Sequence, residues 1–177
     1  LDVAARFNMS QLRAPQFSNL DAVAKAFDEY TTMLRGYGHD PAALDQPVSL
    51  RVHVAPTDEE AKAEAEHALW FYHLLGTLVP GAPGRETVPK GYENYPLDPK
   101  ALAKLTVEDV WERGTAFGTP ERVIEIMKLH MHKLGATNFI IQMRIGGLEH
   151  HKVKRSMELF AKEVMPALRE EESRLAA

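Results

Sequence analysis

The segment FIIQMRIGGLEHHKVKRSMELFAKEVMPAL (Phe139–Leu168) has the pattern of one β-strand followed by one α-helix. Its first residues are mostly apolar, as expected for a strand whose two faces are both covered. A Gly-Gly turn follows. Apolar residues then recur at three- and four-residue steps, which indicates a helix with one buried face. A βα unit of this kind restricts the chain to folds built on parallel strands.

Two other segments have strand patterns, and with the last one they define a series of βα units. Residues 48–55 (VSLRVHVA) alternate apolar and polar side chains with a period of two. Residues 6–12 alternate only in part, and the last strand is expected at 138–145. Because helical patterns separate these strands, the sequence predicts an α/β fold with a parallel sheet and right-handed crossovers.

Local signals mark where the helices of these units begin. Ser18 or Asn19 can cap a helix that continues to Leu34. Thr57 and Glu60 form a capping box, and its helix is expected to run to about residue 75. A further helix begins at Thr119 and Pro120 and ends at Gly135.

Residues 76–117 have no clear periodicity and are rich in proline and glycine. Short helices are possible near Pro99–Leu105 and Val107–Arg113. A long irregular segment inside a compact domain is usually functional or disordered. Tyr92, Tyr95 and Trp111 make a lid over a substrate pocket one interpretation, and a variable surface insertion is the equal alternative.

The composition excludes several classes of protein. The 177 residues suffice for one domain, and the net charge of −4 gives no long-range attraction to nucleic acid or anionic lipid. There is no cysteine, hence no disulfide or thiolate chemistry. No apolar run reaches the roughly 20 residues of a membrane span. The first residues do not have the pattern of a signal peptide, and a cytoplasmic location is expected.

Several motifs in this order resemble the C-terminal part of the bacterial luciferase-like flavin monooxygenases. The matching pieces are VAPTDEEAKAEAEHAL, GTPERVIEIMKLH, LGATNFIIQM, and IGGLEHHKVKRSMELFAKEVMPALRE, together with DEYTTMLRGYGHDP nearer the start. The resemblance implies a partial (β/α)₈ TIM barrel in which residues 6–12, 48–55 and 138–145 are strands six, seven and eight. It covers nearly the whole chain, 1–177, with 76–117 as an irregular insertion.

The resemblance also implies an activity and a cofactor. The family would use reduced FMN, less often a deazaflavin, with O₂ to oxygenate a small organic substrate. A whole barrel takes about 250 residues, so the chain is expected to be a fragment or truncated form, or to work as a homo-oligomer. The alternatives are a non-catalytic homologue that binds a ligand or a partner chain without turnover, and an unrelated three-layer α/β binding domain.

Candidate site residues follow from the rule that barrel enzymes place their chemistry where strands end. That rule selects His53 as a possible general base and Arg144 with Gly146 and Gly147 as a flavin- or phosphate-binding turn. It also selects the cofactor-binding candidates Asn8, Met9 and Ser10. The alternatives are a histidine facing a helix and an arginine paired with a nearby carboxylate.

No metal site is expected, although histidines occur in pairs. His130 and His132 are two residues apart and point to different faces of a helix, unlike the ligands of a helical zinc site. The neighbours His150 and His151 diverge in the same way. Surface or hydrogen-bonded histidines are the better interpretation.

Overall fold

The computed structural model describes residues 1–15, 19–93, 97–112, 115–136 and 138–175. Three strands carry the fold: β1 (Val48–Val54), β2 (Thr115–Gly118) and β3 (Phe139–Gln142). Helices α1 (Asp2–Arg6) and α2 (Leu20–Gly36) precede β1. Helices α3 (Asp58–Glu64), α4 (Glu66–Gly76), α5 (Pro99–Ala103) and α6 (Val107–Glu112) lie between β1 and β2. Helix α7 (Pro120–Leu134) joins β2 to β3, and α8 (His150–Leu159) continues through a π-helical turn, Phe160–Val164, into α9 (Met165–Leu175).

The sheet is parallel, and its central strand is β1. The strand order is β2-β1-β3, with Val54 opposite Gly118 and Val48 opposite Phe139. The chain therefore passes from the central strand β1 to β2 at one edge of the sheet. It then crosses to β3 at the opposite edge. Since crossovers are right-handed, the two connections must cover opposite faces of the sheet.

Alternating residues of β1 confirm that both faces are covered. Leu50, Val52 and Val54 are fully buried in a cluster with residues of α7 and of the C-terminal helices. On the other face, Arg51 lies against two aromatic rings of α4, and His53 contacts α3. All seven residues of β1 are buried, as expected for a central parallel strand.

The predicted units are confirmed where the local signals were strong. Strand β1 was predicted within one residue, and Thr57 and Thr119 both accept hydrogen bonds as helix N-caps. Gly135 ends α7 in the left-handed conformation. The two short helices in the irregular segment are present as α5 and α6. Of the two residues considered as the cap of α2, Asn19 accepts from the amide of Ala22, and Ser18 lies outside the described residues.

Four features of the fold differ from the prediction. The single helix expected from Thr57 to about residue 75 is divided into α3 and α4. Residues 6–12 form no strand, because the chain is helical up to Arg6 and then turns. The next contact with the sheet is a single parallel bridge from Arg13 to Val48. Strand β2 was missed inside the irregular segment, and it continues the same edge of β1 that Arg13 begins. Strand β3 has four residues, not the eight expected at 138–145.

Ser156 ties α8 to the end of the central strand. Its hydroxyl is fully buried and accepts a hydrogen bond of 2.8 Å from the amide of Val54. We expect Ser156→Ala to lower the free energy of unfolding by about 1–3 kcal/mol, because the amide is left without an acceptor. Ser173→Ala is the control, since that exposed hydroxyl bonds only to its own helix. Equal urea midpoints for the two variants would contradict this role.

Candidate functional site

His53 lies near the carboxyl end of β1 and forms a buried pair with Glu64. The alternation of β1 points the imidazole away from the α7 side, and the cap at Thr57 starts α3 so that Glu64 faces it. Nε2 of His53 is 2.5 Å from Oε2 of Glu64. The two residues are only 2% and 7% exposed. A hydrogen bond to a charged acceptor is strong in such a dry environment.

Two cations of α8 also contact the Glu64 carboxylate. The guanidinium of Arg155 lies 3.3 Å from a Glu64 oxygen, and Nζ of Lys152 lies 3.4 Å from it. Arg155 also binds Glu60 at 2.5 Å, and Lys152 binds Glu149 at 2.7 Å. The two cations therefore compensate the negative charge of Glu64, while its carboxylate forms the hydrogen bond to the imidazole of His53.

The remaining surroundings of His53 are apolar. Burial lowers the pKa of His53 below its usual value near 6.5, and the Glu64 carboxylate offsets part of that effect. The ring packs edge-on against Phe117 at 6.0 Å between centroids. The second ring nitrogen, Nδ1, is buried and has no hydrogen-bond partner in the described parts of the chain. The lowered pKa favours the neutral imidazole, whose Nδ1 has no hydrogen-bond partner among the described residues.

A small cavity adjoins this imidazole at the carboxyl ends of β1 and β3. Its volume is about 10 Å³, and Ala68, Phe117, Ile145 and Leu148 supply its apolar walls. The helices that follow β1 and β3 lie on opposite faces of the sheet. In open parallel sheets such a divergence leaves a crevice where ligands bind.

The predicted Gly-Gly turn closes this crevice. Gly146 has φ +57°, and a Cβ atom there would lie far inside contact distance of the carbonyl oxygen of His67 in α4. Gly147 is exposed, and a Cβ there would be 3.7 Å from Nδ1 of His67. The structure therefore brings Gly146, Gly147 and His53 together around one stretch of α4.

Arg144 lies between β3 and the turn, with an exposed side chain. No carboxylate among the described residues forms an ion pair with it. The cavity behind the turn, about 10 Å³, is too small for a ring system. On the exposed side of the turn, the guanidinium of Arg144 is a donor of the kind that binds anionic groups.

Asn8, Met9 and Ser10 do not reach this edge. They precede Arg13, which pairs with the first residue of β1, so they lie at the amino end of the sheet. Their expected place at the end of a sixth strand is wrong, because α1 and a turn replace that strand. Asn8 has φ +54°, and the carbonyl of Met9 accepts a hydrogen bond from the buried Tyr30 hydroxyl.

Sequence reasoning missed three residues of the site region: Glu64, His67 and Arg51. Arg51 is 5% exposed, and its guanidinium lies 4.6 Å from the Phe71 ring centroid and 4.7 Å from that of Tyr72. The alternation of β1 could have indicated Arg51, since it shares a face with His53. Glu64 and His67 gave no signal, because their role depends on how α3 and α4 pack.

His130 and His132 contact different partners. Nδ1 of His130 bonds to the carbonyl of Ile126 at 2.7 Å, and Nε2 of His132 lies 3.0 Å from Glu171. No group of three or more potential metal ligands occurs in the residues that the structure describes.

Two aromatic side chains of the expected lid are described. Trp111 is 8% exposed and lies under the guanidinium of Arg122, whereas Tyr92 is 52% exposed. Tyr95 falls outside the described residues. The interpretation of 76–117 as a lid therefore stays a prediction.

The described residues form a small parallel α/β sheet, with His53 and the Gly146–Gly147 turn near the carboxyl ends of its strands. Comparison with protein-family models gives a match to the luciferase-like monooxygenases over residues 1–138. Because this match covers most of the sequence, the chain belongs to the luciferase-like monooxygenase family. No functionally curated protein sequence matches it significantly.

Solved structures with the same fold include three oxidoreductases. The monooxygenase RslO1 from Streptomyces bottropensis is 21% identical with a TM-score of 0.64, and the match covers 93% of this chain and 44% of RslO1. The oxygenating constituent of 3,6-diketocamphane monooxygenase from Pseudomonas putida, solved with FMN, is 21% identical with a TM-score of 0.61, covering 94% and 44%. The coenzyme F420-dependent tetrahydromethanopterin reductase from Methanopyrus kandleri is 18% identical with a TM-score of 0.58, covering 93% and 47%.

These similarities confirm the partial barrel fold. The chain spans less than half the length of each of these three proteins. The family match also excludes the unrelated α/β binding domain that the sequence left open. No helix in the described part of the chain is long and apolar enough to cross a membrane.

Proposed function

We propose that this chain contributes the C-terminal strands of a flavin-dependent monooxygenase that uses reduced FMN and O₂ on a small organic substrate. Membership of the luciferase-like family supports an oxidoreductase of this kind. The observation that carries the proposal is the meeting of His53 and the Gly146–Gly147 turn at the carboxyl ends of β1 and β3. Enzymes on parallel barrels act at that end of the sheet.

Each side chain at this end has a distinct role in the proposal. The flavin supplies the electrons that activate O₂. Arg144 and the amide of Gly147 hold an anionic group of the flavin on the exposed side of the turn. His53 accepts a proton or a hydrogen bond from the substrate. The apolar walls formed by Phe117, Ile145 and Leu148 keep water from the imidazole of His53.

FMN is the preferred cofactor in this proposal, and a deazaflavin is the alternative. One structural neighbour is named as an FMN complex and another as an F420-dependent enzyme. Both cofactors carry a phosphate for which the exposed guanidinium of Arg144 is a suitable donor. Competition between FMN and a deazaflavin for the same protein would distinguish them.

Flavin binding tests the proposal directly. We expect the fluorescence of FMN to be quenched when the purified chain is added. Binding should saturate at micromolar concentrations. Arg144→Ala should weaken binding roughly tenfold, since a charge-assisted hydrogen bond contributes about 1.5–3 kcal/mol. Arg35→Ala, a change of another exposed arginine at the end of α2, should leave binding unaltered. No binding up to millimolar FMN would mean that this chain alone is not a flavoprotein.

A second candidate is a homologue that binds a ligand or a partner chain without turnover. The position of α4 favours this candidate. In a closed barrel the face of β1 that carries Arg51 would point toward the centre, whereas here α4 covers that face. Co-expression with the N-terminal strands of a related barrel distinguishes the two candidates. Restored flavin binding and oxygen consumption support the enzyme, whereas a stable complex without either supports the binding protein.

A further inference from the structure

A second and larger cavity lies beside β2, with a volume of about 270 Å³. Leu20 lines it from the start of α2, Trp111 from the end of α6, and Ile126, Leu129 and His130 from one face of α7. It shares no described lining residue with the cavity beside His53. An apolar cavity of about 150 Å³ already holds benzene, so this one has room for a substituted ring.

The burial of the lining residues distinguishes a floor from a mouth. Trp111 and His130 are buried, whereas Leu129 is 52% exposed. The side chain of Glu112, which also lines the cavity, is 69% exposed. A ligand that enters past Leu129 and Glu112 therefore reaches Trp111 and His130.

The charged side chains of the cavity compensate each other. Among the described lining residues only Arg122 and Glu112 carry a full charge, and Nη2 of Arg122 lies 3.9 Å from Oε1 of Glu112. Nε of Arg122 donates to the carbonyl of Phe117 at 3.1 Å, and the guanidinium lies 4.4 Å from the Trp111 ring centroid. Because no charge here lacks a partner, the cavity favours an uncharged ligand.

His130 provides a hydrogen-bond acceptor at the floor. Its Nδ1 is 2.7 Å from the carbonyl oxygen of Ile126, and a carbonyl only accepts, so Nδ1 carries the hydrogen. Burial lowers the pKa of His130, which favours the neutral ring, in which Nε2 is an acceptor. Nε2 has no hydrogen-bond partner among the described residues, and it is not one of the polar atoms sealed from solvent. A ligand in the cavity can therefore supply the missing donor.

We propose that this cavity binds a small uncharged molecule that consists of one apolar ring and a hydroxyl or N–H group, and that this group donates a hydrogen bond to Nε2 of His130. The ring lies in the apolar space lined by Leu20, Trp111 and Ile126. The charges of Arg122 and Glu112 already have partners, so an ionised ligand gains nothing there. The site goes beyond the proposed function, because it requires no flavin.

Tryptophan fluorescence tests binding, since the chain has two tryptophans. Trp70→Phe removes the exposed one and leaves Trp111, at the floor of the cavity, as the reporter. The compound p-cresol should change the emission of Trp111 saturably. Toluene, the same ring without the hydroxyl group, should bind roughly tenfold more weakly, as expected for the loss of one hydrogen bond. Equal affinities of the two compounds, or no saturable change with p-cresol, would refute the proposal.

Nuclear magnetic resonance of the wild-type chain labelled with ¹⁵N-histidine locates the hydrogen bond. His130 should carry hydrogen on Nδ1 and none on Nε2 at pH 7, and p-cresol should shift its Nε2 resonance saturably. His130→Phe should abolish the preference for p-cresol over toluene. His132→Phe is the matched control and should keep it, since His132 contacts Glu171 instead. A ring protonated on Nε2, or p-cresol bound without an effect on that nitrogen, would overturn the proposal even if His130→Phe does not fold.

Discussion

Replacement of Gly146 by alanine is expected to lower the free energy of unfolding by about 2–5 kcal/mol. Two effects add. The residue has φ +57°, a left-handed conformation that side chains other than glycine adopt at a penalty. In addition, the new Cβ would meet the His67 carbonyl, which is backbone and cannot rotate away. Urea denaturation followed by circular dichroism measures the loss.

Gly135→Ala separates the two effects. Gly135 has φ +62°, almost the same backbone conformation, but a Cβ there would meet nothing within 4 Å. Its variant should lose only about 1–2 kcal/mol. The difference between the two variants then measures the contact between the Gly-Gly turn and α4. Similar losses at both positions would mean that the turn does not pack against α4.

The result also bears on which face of the sheet α4 covers. In a closed barrel the helices lie outside, and the side chains of Arg51 and His53 would point toward the centre. Here α4 occupies that side, held by the two rings around Arg51 and by the close approach at Gly146. A large penalty at Gly146 would therefore show that α4 covers this face in solution.

The elements that sequence predicted well are those with local signals. The alternation of β1 and the caps at Thr57, Thr119 and Gly135 depend on residues close together in the chain, and all four are present. Such signals specify a local conformation before any tertiary contact forms.

The elements that sequence missed depend on distant contacts. The partial alternation at residues 6–12 predicted a strand, yet Phe7 is 65% exposed and the chain before it is helical. Strand β2 has only four residues, TAFG, and exists because β1 offers it a free edge. A segment this short has no periodicity that distinguishes it from a loop.

The candidate site, like the fold, was predictable only in part. His53 and the Gly-Gly turn follow from the rule that strand ends carry chemistry. Glu64 was not predictable, because a single helix was expected from Thr57 to about residue 75. The structure instead ends α3 at Glu64 and begins α4 at Glu66. That break separates the helix that carries the carboxylate from the helix that closes the cavity.

Replacement of Phe117 by alanine is expected to have the largest effect on the site itself. Phe117 is 1% exposed, belongs to the core between the sheet and α4, and forms a wall of the cavity beside His53. Removal of a buried phenylalanine ring lowers the free energy of unfolding by about 3–5 kcal/mol. Phe7→Ala, at a phenylalanine that is 65% exposed, is the matched control and should change stability by less than about 1 kcal/mol.

The same variant should change the protonation of His53, which connects stability with function. Burial is the largest cause of the lowered pKa of His53. Without the Phe117 ring, water can reach the polar end of the enlarged cavity, so the pKa should move up toward its usual value near 6.5. An NMR titration of His53 in wild type and Phe117→Ala measures the shift. A pKa that stays as low as in wild type, together with a small loss of stability, would mean that Phe117 does not seal the imidazole from solvent.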